Sequence, residues 1–402
     1  MNRFSAFVRE HSRHPNSVAY ASMAIAAVAY PGIVQFATGG NGDALVGLAA
    51  DAGVYVLLAI GLNVVVGFAG LLDLGYAAFF AIGAYTYGMI ASQHFATTPL
   101  HHAIHVPFWI ALFIAMFVAA GFGALLGAPT LRLRGDYLAI VTLGFGEIVP
   151  RVFKNLNEWT GGVNGISALD FPTLPAWIDG PWAGFSDISI NTNFQMTTQN
   201  LTSFYVVIVI IIVGCVILVN NLQRSRLGRA WMAVREDETA AAATGINTVS
   251  VKLLAFAIGA SLSGFAGAFY GAKLSVVSSD QFTFTVSITV LSMVVLGGMG
   301  NIPGAMLGGL ALYFILYKFL PDAPLQVAAF TNSIGLHSLN VPHGDWPGLG
   351  EEVSRLKFII FGLILVGIML LRPQGLLPSR TRAAELKERG EETVSVSAKA
   401  AG

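Results

Sequence analysis

The residues in this sequence that are best suited to metal chemistry are histidines near position 100. The group consists of His94, His101, His102 and His105. His101 and His105 have the i, i+4 spacing that places two side chains on one face of a helix. No carboxylate or cysteine accompanies them, and Pro99 and Pro107 interrupt any helix in this stretch. We therefore expect loop histidines exposed to solvent and no metal site.

Catalytic and nucleotide-binding patterns are missing from the sequence. It contains no GxxxxGK[ST] stretch to cradle phosphates, and no nucleophile stands beside a base in a recognisable arrangement. We expect a chain that is not an enzyme, does not hydrolyse ATP and has no cofactor of its own.

One carboxylate, Glu147, lies in the middle of the apolar segment LAIVTLGFGEIVP. An ionisable group at membrane depth is costly and normally faces a bundle interior or water. Glu147 is therefore either a pathway or gating residue, or a buried partner for backbone groups or for Arg151 one turn later.

Two glycine-rich stretches, 63–83 and 296–309, are too interrupted to be ordinary helices. Broken helices at membrane depth must face protein or a water-filled cavity, and paired breaks indicate a transport site in repeat-built transporters. The alternative is close helix packing, because Gly267 with Gly271 and Gly304 with Gly308 have GxxxG spacing. Asn63 and Asp73 flank the first break, as pathway residues or as caps of a half-helix. The candidate translocation residues are Asn63, Asp73, Tyr76 and Glu147.

The segment 224–250, RSRLGRAWMAVREDETAAAATGINTVS, lies between two long apolar segments. It combines arginines, an acidic run and a partly apolar face, which indicates a surface docking helix. An alanine-rich stretch stops at Gly245, where a left-handed helix cap is expected. The candidate docking residues are Gly228, Arg229, Arg235, Glu236, Asp237, Glu238 and Gly245.

Composition places the chain in the membrane class. Hydrophobic residues make up 55% and charged residues 11% of 402 residues, whereas soluble domains carry about 25% charge. The formal net charge of zero argues against nucleic-acid binding. The single cysteine, Cys215, lies in an apolar run, so no internal disulfide is possible.

A transmembrane helix needs about 20 mostly apolar residues. The segments that fit are 18–38, 44–66, 68–92, 107–128, 137–153, 202–222, 250–272, 285–297, 302–320 and 355–371. This predicts an all-α polytopic membrane protein of about ten transmembrane helices, two of the stretches being candidate broken helices. The first span is expected to be retained and not cleaved as a signal peptide.

Basic residues set the orientation, since Lys and Arg are retained on the cytoplasmic side. Of the 22 Lys and Arg residues, the opposite side receives only Arg151, Lys154, Lys273, Lys318, Arg355 and Lys357. Both termini are therefore expected in the cytoplasm. The predicted parts are a cytoplasmic segment 1–17, a transmembrane domain 18–372 with a cytoplasmic loop 223–249 and external loops 154–201 and 321–354, and a cytoplasmic tail 373–402.

Six spaced motifs carry a resemblance to a known family. They read GLLDLGY at 70–76, LRLRGDYLAIVTLGFGEIV at 131–149, TGGVNGI at 160–166, LGRA at 227–230 continuing through REDE at 235–238 to GI at 245–246, VLGGMG at 295–300 and RPQGLL at 372–377. In this order they resemble the LivM-type permease of branched-chain amino-acid ABC importers.

The resemblance implies a type II-like ABC importer permease in the bacterial inner membrane. It also implies a LivH-type partner permease, two cytoplasmic ATPase subunits that hold ATP and Mg, and a periplasmic solute-binding protein. The segment around Arg229 to Gly245 then corresponds to the cytoplasmic coupling helix. The implied solute is leucine, isoleucine or valine, with urea, amides or other amino acids as alternatives.

A second class of function is a stand-alone secondary transporter or channel, which needs its own intramembrane charge network. The sequence offers Glu147 within a span, with Asp51 and Asp73 near span or break regions. No intramembrane Lys or Arg is expected to pair with them. That scarcity, together with the docking segment, favours the importer subunit.

Overall fold

The computed structural model describes residues 15–39, 42–99, 101, 106–130, 136–167, 169 and 201–333, and scattered positions from 348 to 377. The helices in this part are α1 (Pro15–Ala37), α2 (Asp43–Leu62), α3 (Tyr76–Ile90), α4 (His94–Thr97), α5 (Phe108–Thr130), α6 (Asp136–Asn155), α7 (Asn157–Thr160), α8 (Leu201–Arg224), α9 (Arg226–Glu236), α10 (Glu238–Ala243), α11 (Thr248–Leu274), α12 (Phe284–Gly297), α13 (Ile302–Phe314) and α14 (Leu320–Ser333). Two π-helices, Asn63–Phe68 and Ile315–Phe319, directly follow α2 and α13; the strands are β1 (Ile166–Ser167) and β2 (Val276–Val277), and a 3-10 turn covers Ser279–Gln281.

Seven helices of the described part are long and apolar enough to cross a membrane. They are Ala19–Ala37, Asp43–Phe68, Phe108–Pro129, Leu201–Arg224, Thr248–Leu274, Ser279–Gly297 and Ile302–Ser333, and Tyr76–Ile90 is a shorter apolar helix. The expected all-α polytopic architecture is confirmed. The predicted span 355–371 lies mostly outside the described residues.

The chain divides into two compact units, Met1–Leu291 and Ser292–Gly402. The centre of the first unit is α11, which packs against α2, α3 and α5. Glycines allow these helices to approach closely: a Cβ built at Gly83 would overlap the backbone of Gly264, and one at Gly267 would overlap the Phe80 carbonyl oxygen. The predicted packing role of Gly267 is therefore confirmed.

An ion pair between α2 and α11 corrects one expectation from the sequence. Lys273 Nζ pairs with Asp51 Oδ1, and it also donates a hydrogen bond to Gly47 O at 2.8 Å. The Lys273 side chain is only 6% exposed. The expectation that no Lys or Arg would pair with a carboxylate of the spans was wrong, because a charge near the end of one span finds its partner on a helix far away in the sequence.

A short antiparallel ladder joins β1 to β2, with Ile166 opposite Val277 and Ser167 opposite Val276. Lys154 at the end of α6 lies 3.2 Å from Asp280 on the adjoining turn. These contacts order the beginning of the predicted loop 154–201. Its later residues lie outside the described part, except Leu169 and Leu201.

In the second unit, α13 packs closely against the preceding helix. A Cβ at Gly304 would lie 2.5 Å from Gly297 O, and one at Gly308 would overlap Met293 O. The packing role of this GxxxG pair is confirmed. Four residues, 298–301, separate α12 from α13 and form the second helix break.

The RPQGLL motif closes onto this second break. Leu376 N donates to Leu296 O at 2.8 Å and Leu377 N to Gly297 O at 3.0 Å, while Asn301 Nδ2 donates to Leu377 O at 2.9 Å. These bonds satisfy carbonyls that the end of α12 leaves without intrahelical partners.

The predicted external loop 321–354 begins inside a helix. From Ile302, α13 continues through the π-helix Ile315–Phe319 into α14, which ends at Ser333. Pro321 and Pro324 lie in α14 and cannot donate backbone hydrogen bonds, and the π-helix Ile315–Phe319 changes the hydrogen-bond pattern just before them. Most of the remaining loop, 334–354, lies outside the described residues.

Candidate functional site

The segment predicted as one docking helix consists of two helices, α9 and α10. They lie within residues 225–245, the docking segment. Ser225 caps α9 by accepting hydrogen bonds from Leu227 N and Gly228 N. Asp237 is extended, at φ −153 and ψ 110, and ends α9. Its Oδ1 accepts from Thr239 N at 2.8 Å and Ala240 N at 3.0 Å, so Asp237 is the N-cap of α10.

Two side chains attach the docking segment to the first turns of α11. Trp231 is fully buried and donates its indole N–H to Val251 O at 2.8 Å. Glu238 pairs with the buried Lys252 at 2.6 Å. Because α11 is the central helix of the first unit, the docking segment is fixed directly to the helix core.

A third side chain connects the docking segment with the first helix break. Arg235 donates a guanidinium hydrogen bond to Gly67 O in the π-helix Asn63–Phe68. Its aliphatic part lies against Gly70, where a Cβ would be 2.7 Å from Arg235 Cγ. Arg235, Asp237 and Glu238 therefore all have partners within this chain.

The exposed charged residues of the docking segment are Arg226, Arg229, Glu236 and Asp237, and Asp237 also caps α10. Arg229 donates to Arg224 O at 3.1 Å. Gly228 is buried, and a Cβ there would overlap Gln223 O, so α9 folds back closely on the end of α8. Arg229 and Glu236 thus form a charged surface that remains accessible to another subunit.

Gly245 ends the docking segment with φ +88, and Ile246 N donates to Ala241 O at 3.1 Å. This is the left-handed cap predicted from the sequence, which is confirmed. A Cβ at Gly245 would meet nothing within 4 Å. Only the backbone conformation therefore requires glycine here.

The first helix break lies between the π-helix and α3, over residues 69–75. Asn63 is fully buried as the first residue of the π-helix. Asp73 is buried and its Oδ1 accepts from Gly75 N at 2.9 Å, just before α3 begins. With Thr142, Phe79 and Phe256, Asp73 also borders a narrow, mainly apolar cavity. Asp73 thus closes the turn before the half-helix and also borders this small cavity.

Tyr76 is buried where α2, α3 and α11 meet. Its hydroxyl donates to Gly259 O at 3.0 Å, and Gly61 lies against it. Ser263 Oγ donates to Tyr76 O at 3.4 Å. Tyr76 therefore makes the contacts of a packing residue, and its pathway role stays a prediction.

Glu147 lies on the exposed side of α6 in this chain. It pairs with Arg151 one turn later at 3.2 Å, and the two side chains are 44% and 75% exposed. Pairing with Arg151 was one of the two alternatives predicted for Glu147, but the pair was expected to be buried. An exposed face of α6 is free to contact a second membrane subunit or a water-filled route.

The histidines do not assemble in the described part of the chain. His94 Nε2 lies 3.1 Å from Trp159 O, and His101 has φ 48. His102 and His105 lie outside the described residues. The described residues contain no group of three His, Cys, Asp or Glu side chains that could hold a metal ion.

Sequence reasoning missed Thr142, Lys252 and Lys273. Thr142 Oγ1 accepts from Leu74 N at 3.0 Å, which connects the first break to α6. A lysine within an apolar segment is itself a signal of a buried partner, and both lysines lie at the ends of α11. That signal identifies the residue but not the carboxylate that it binds.

The structure defines a class of protein: a helical membrane protein with several candidate spans, broken helices and a docking segment fixed to its core. Comparisons with known proteins specify the class further. Residues 44–323 match the family described as "Branched-chain amino acid transport system / permease component". No solved structure matches the chain.

Several named permeases are similar to this chain. The high-affinity branched-chain amino acid transport system permease protein LivM of Salmonella typhimurium is 37% identical over 91% of this chain and 76% of its own length, as is LivM of Escherichia coli. LivH of Salmonella typhimurium is 26% identical over 64% of this chain and 79% of its own length. The chain belongs to the branched-chain amino-acid transport permease family, and the LivM-type resemblance is confirmed.

Proposed function

We propose that this chain is one of two permease subunits of an ATP-driven importer, paired with a LivH-type permease. Its docking segment binds one of two ATPase subunits in the cytoplasm, which hold ATP and Mg, and a periplasmic binding protein delivers the solute. The observation that carries this proposal is the docking segment. Its inward side chains fix it to α11 and to the first break, while Arg229 and Glu236 remain exposed.

Branched-chain amino acids are the proposed solutes. The names of LivM and LivH relatives support leucine, isoleucine and valine. Urea, amides and other amino acids are the alternatives. The proposed location is the bacterial inner membrane with both termini in the cytoplasm, as supported by the distribution of basic residues.

The test of this function is uptake in cells that lack their own systems for the labelled solutes. With the complete complex expressed, we expect accumulation of radiolabelled leucine that stops when the ATPase subunits are omitted. Accumulation of urea instead would change the proposed solute. Uptake by liposomes that contain this chain alone would identify a secondary transporter. The Asp51–Lys273 pair does not favour that alternative, because it joins two packed helices and Lys273 is also bonded to Gly47 O.

We further propose that Asn63, Asp73, Tyr76 and Glu147 border the translocation route. For Glu147 the structure allows a clean test, because an exposed ion pair contributes only about 0–1 kcal/mol to stability. Glu147→Gln is expected to leave membrane abundance unchanged and to lower leucine uptake about fivefold or more, because a carboxylate kept within an apolar span more often serves transport than packing.

The control for Glu147 is Arg151→Gln, which removes the same ion pair and keeps the carboxylate. Its uptake is expected to stay near the wild-type value. Equal loss in both variants would assign the effect to the ion pair, and normal uptake by Glu147→Gln would remove this residue from the route.

Gly245 provides a test of the docking segment outside the membrane. Gly245→Val forces a branched side chain into a left-handed conformation, which costs about 1–2 kcal/mol. We expect normal membrane abundance with reduced co-purification of the ATPase subunits, because the end of α10 is displaced. Gly245→Asn is the matched control, since asparagine tolerates this conformation. Wild-type association of the valine variant would show that this helix end does not contact the ATPase.

A further inference from the structure

The first helix break is held by a side chain of the docking segment. The Arg235 guanidinium binds Gly67 O, and the end of a helix leaves such carbonyls without intrahelical partners. Gly70, with φ +70, is the second residue of the break, and the aliphatic part of Arg235 lies against it. One arginine therefore contacts both the last turn of the π-helix and the break that follows it.

The other end of the first break contacts α6. Leu74 N donates to Thr142 Oγ1 at 3.0 Å, and a Cβ at Gly75 would overlap Thr142 O. The backbone between Gly67 and Gly75 is thus bound at one end by Arg235 and at the other by the helix that carries Glu147. Arg235 and α6 are therefore connected through the backbone of residues 67–75.

Arg235 occupies the last turn of α9, two residues before the extended residue Asp237. Trp231, one turn earlier, fixes the same helix to Val251 O of α11. Glu236, the next residue, is exposed. One helix of eleven residues therefore carries an outward charge for a partner and an inward charge for the break.

From this geometry we infer that Arg235 is the positioning residue that sets the backbone of the first break according to the position of the docking segment. The inference rests on the proposed function and deepens it: ATP hydrolysis by the bound subunits moves α9, and Arg235 carries that movement to Gly67 and Gly70. Without Arg235 the ATPase still binds at Arg229 and Glu236, but the backbone of the first break no longer moves when α9 moves.

The test is the ratio of ATP hydrolysed to leucine taken up by the complete transporter in liposomes with its binding protein. In Arg235→Ala, leucine uptake is expected to fall about tenfold more than ATP hydrolysis falls. A tenfold change in this ratio is about what the loss of one charge-assisted hydrogen bond predicts. Arg235→Lys keeps the positive charge and an aliphatic side chain, so its ratio should lie between those of Arg235→Ala and the wild type. Arg229→Ala is the matched control, and hydrolysis and uptake should fall together in it.

The outcomes separate this inference from the function on which it rests. Absence of ATP-dependent uptake by the wild type would refute the proposed function. A coupled wild type with a wild-type ratio in Arg235→Ala would overturn the role of Arg235, and so would a parallel fall of uptake and hydrolysis accompanied by lower thermal stability.

A second variant decides the question if Arg235→Ala does not reach the membrane. Arg235→Lys, measured in the same way, is then expected to raise the ratio about threefold, because one ammonium replaces a guanidinium fork. A wild-type ratio in the lysine variant would contradict the inference. Gly70→Ala is expected to raise the ratio of ATP hydrolysed to leucine taken up as well. If both residues act through one contact, the double variant Gly70→Ala/Arg235→Ala should have the same ratio as Arg235→Ala alone.

Discussion

Lys273→Met is expected to remove most of the folded protein from the membrane. Removing one partner of a buried ion pair costs about 3–5 kcal/mol, because the remaining charge stays buried without compensation. Here Asp51 would remain on α2 without its counter-ion, and its side chain is only 25% exposed. A loss of this size is a large share of the roughly 5–15 kcal/mol that stabilises a typical domain. Membrane abundance and the melting temperature in mild detergent measure it.

Two comparisons test this explanation. The double variant Asp51→Leu/Lys273→Met removes both charges and should recover most of the abundance, because apolar replacement of a buried pair is often close to neutral. Lys154→Met breaks the pair with Asp280, whose side chains are 44% and 69% exposed, and should cost less than about 1 kcal/mol. A Lys273→Met protein as abundant and heat-stable as the wild type would show that the pair does not hold α2 to α11.

Features with a local cause could be predicted from the sequence. Gly245 ends an alanine-rich helix because only a residue without Cβ adopts φ +88 easily, and the sequence pattern around it contains that information. The GxxxG pairs also predicted close packing, since the spacing itself places two glycines on one helix face. The apolar spans followed from length and composition in the same way.

Partners of charged residues could not be predicted, because pairing depends on which helices meet. Glu238 and Arg235 read as surface charges in one acidic and basic run, yet they bind Lys252 and Gly67 O. Helical periodicity gives the face on which a side chain lies but not the element opposite it. The division of the docking segment at Asp237 could have been predicted. An Asp before Glu-Thr-Ala is a typical helix start, but the run of mixed charges around it hid this signal.

The end of the helix that begins at Ile302 differs from the end of the predicted span. The sequence predicted a span over 302–320 from its length and apolar composition, whereas the helix continues to Ser333. The π-helix Ile315–Phe319 supplies a different hydrogen-bond pattern just before Pro321 and Pro324, whose missing N–H groups interrupt the pattern of a regular α-helix. A π-helix has no clear sequence signature, so the continuation was not foreseeable.

Trp231→Ala should have the largest effect on coupling to the ATPase subunits. Trp231 is fully buried between the docking segment and α11, and truncation of a buried Trp to Ala costs about 3–5 kcal/mol. Its indole bond to Val251 O is lost as well. The spans themselves are unchanged, so we expect the chain to insert, but α9 should loosen from α11 and both ATPase stimulation and leucine uptake should fall at least tenfold.

The graded variant Trp231→Phe separates packing from hydrogen bonding. Phenylalanine keeps most of the apolar contact and loses one hydrogen bond worth about 0.5–1.5 kcal/mol, so uptake should lie between those of the wild type and Trp231→Ala. Trp159→Ala is the control, because that side chain is 37% exposed and lies outside the docking segment. Limited proteolysis at residues 225–245 should be faster in Trp231→Ala alone. If uptake and proteolysis of Trp231→Ala match the wild type, the docking segment is held without Trp231, and Glu238 with Lys252 must be sufficient to fix it to α11.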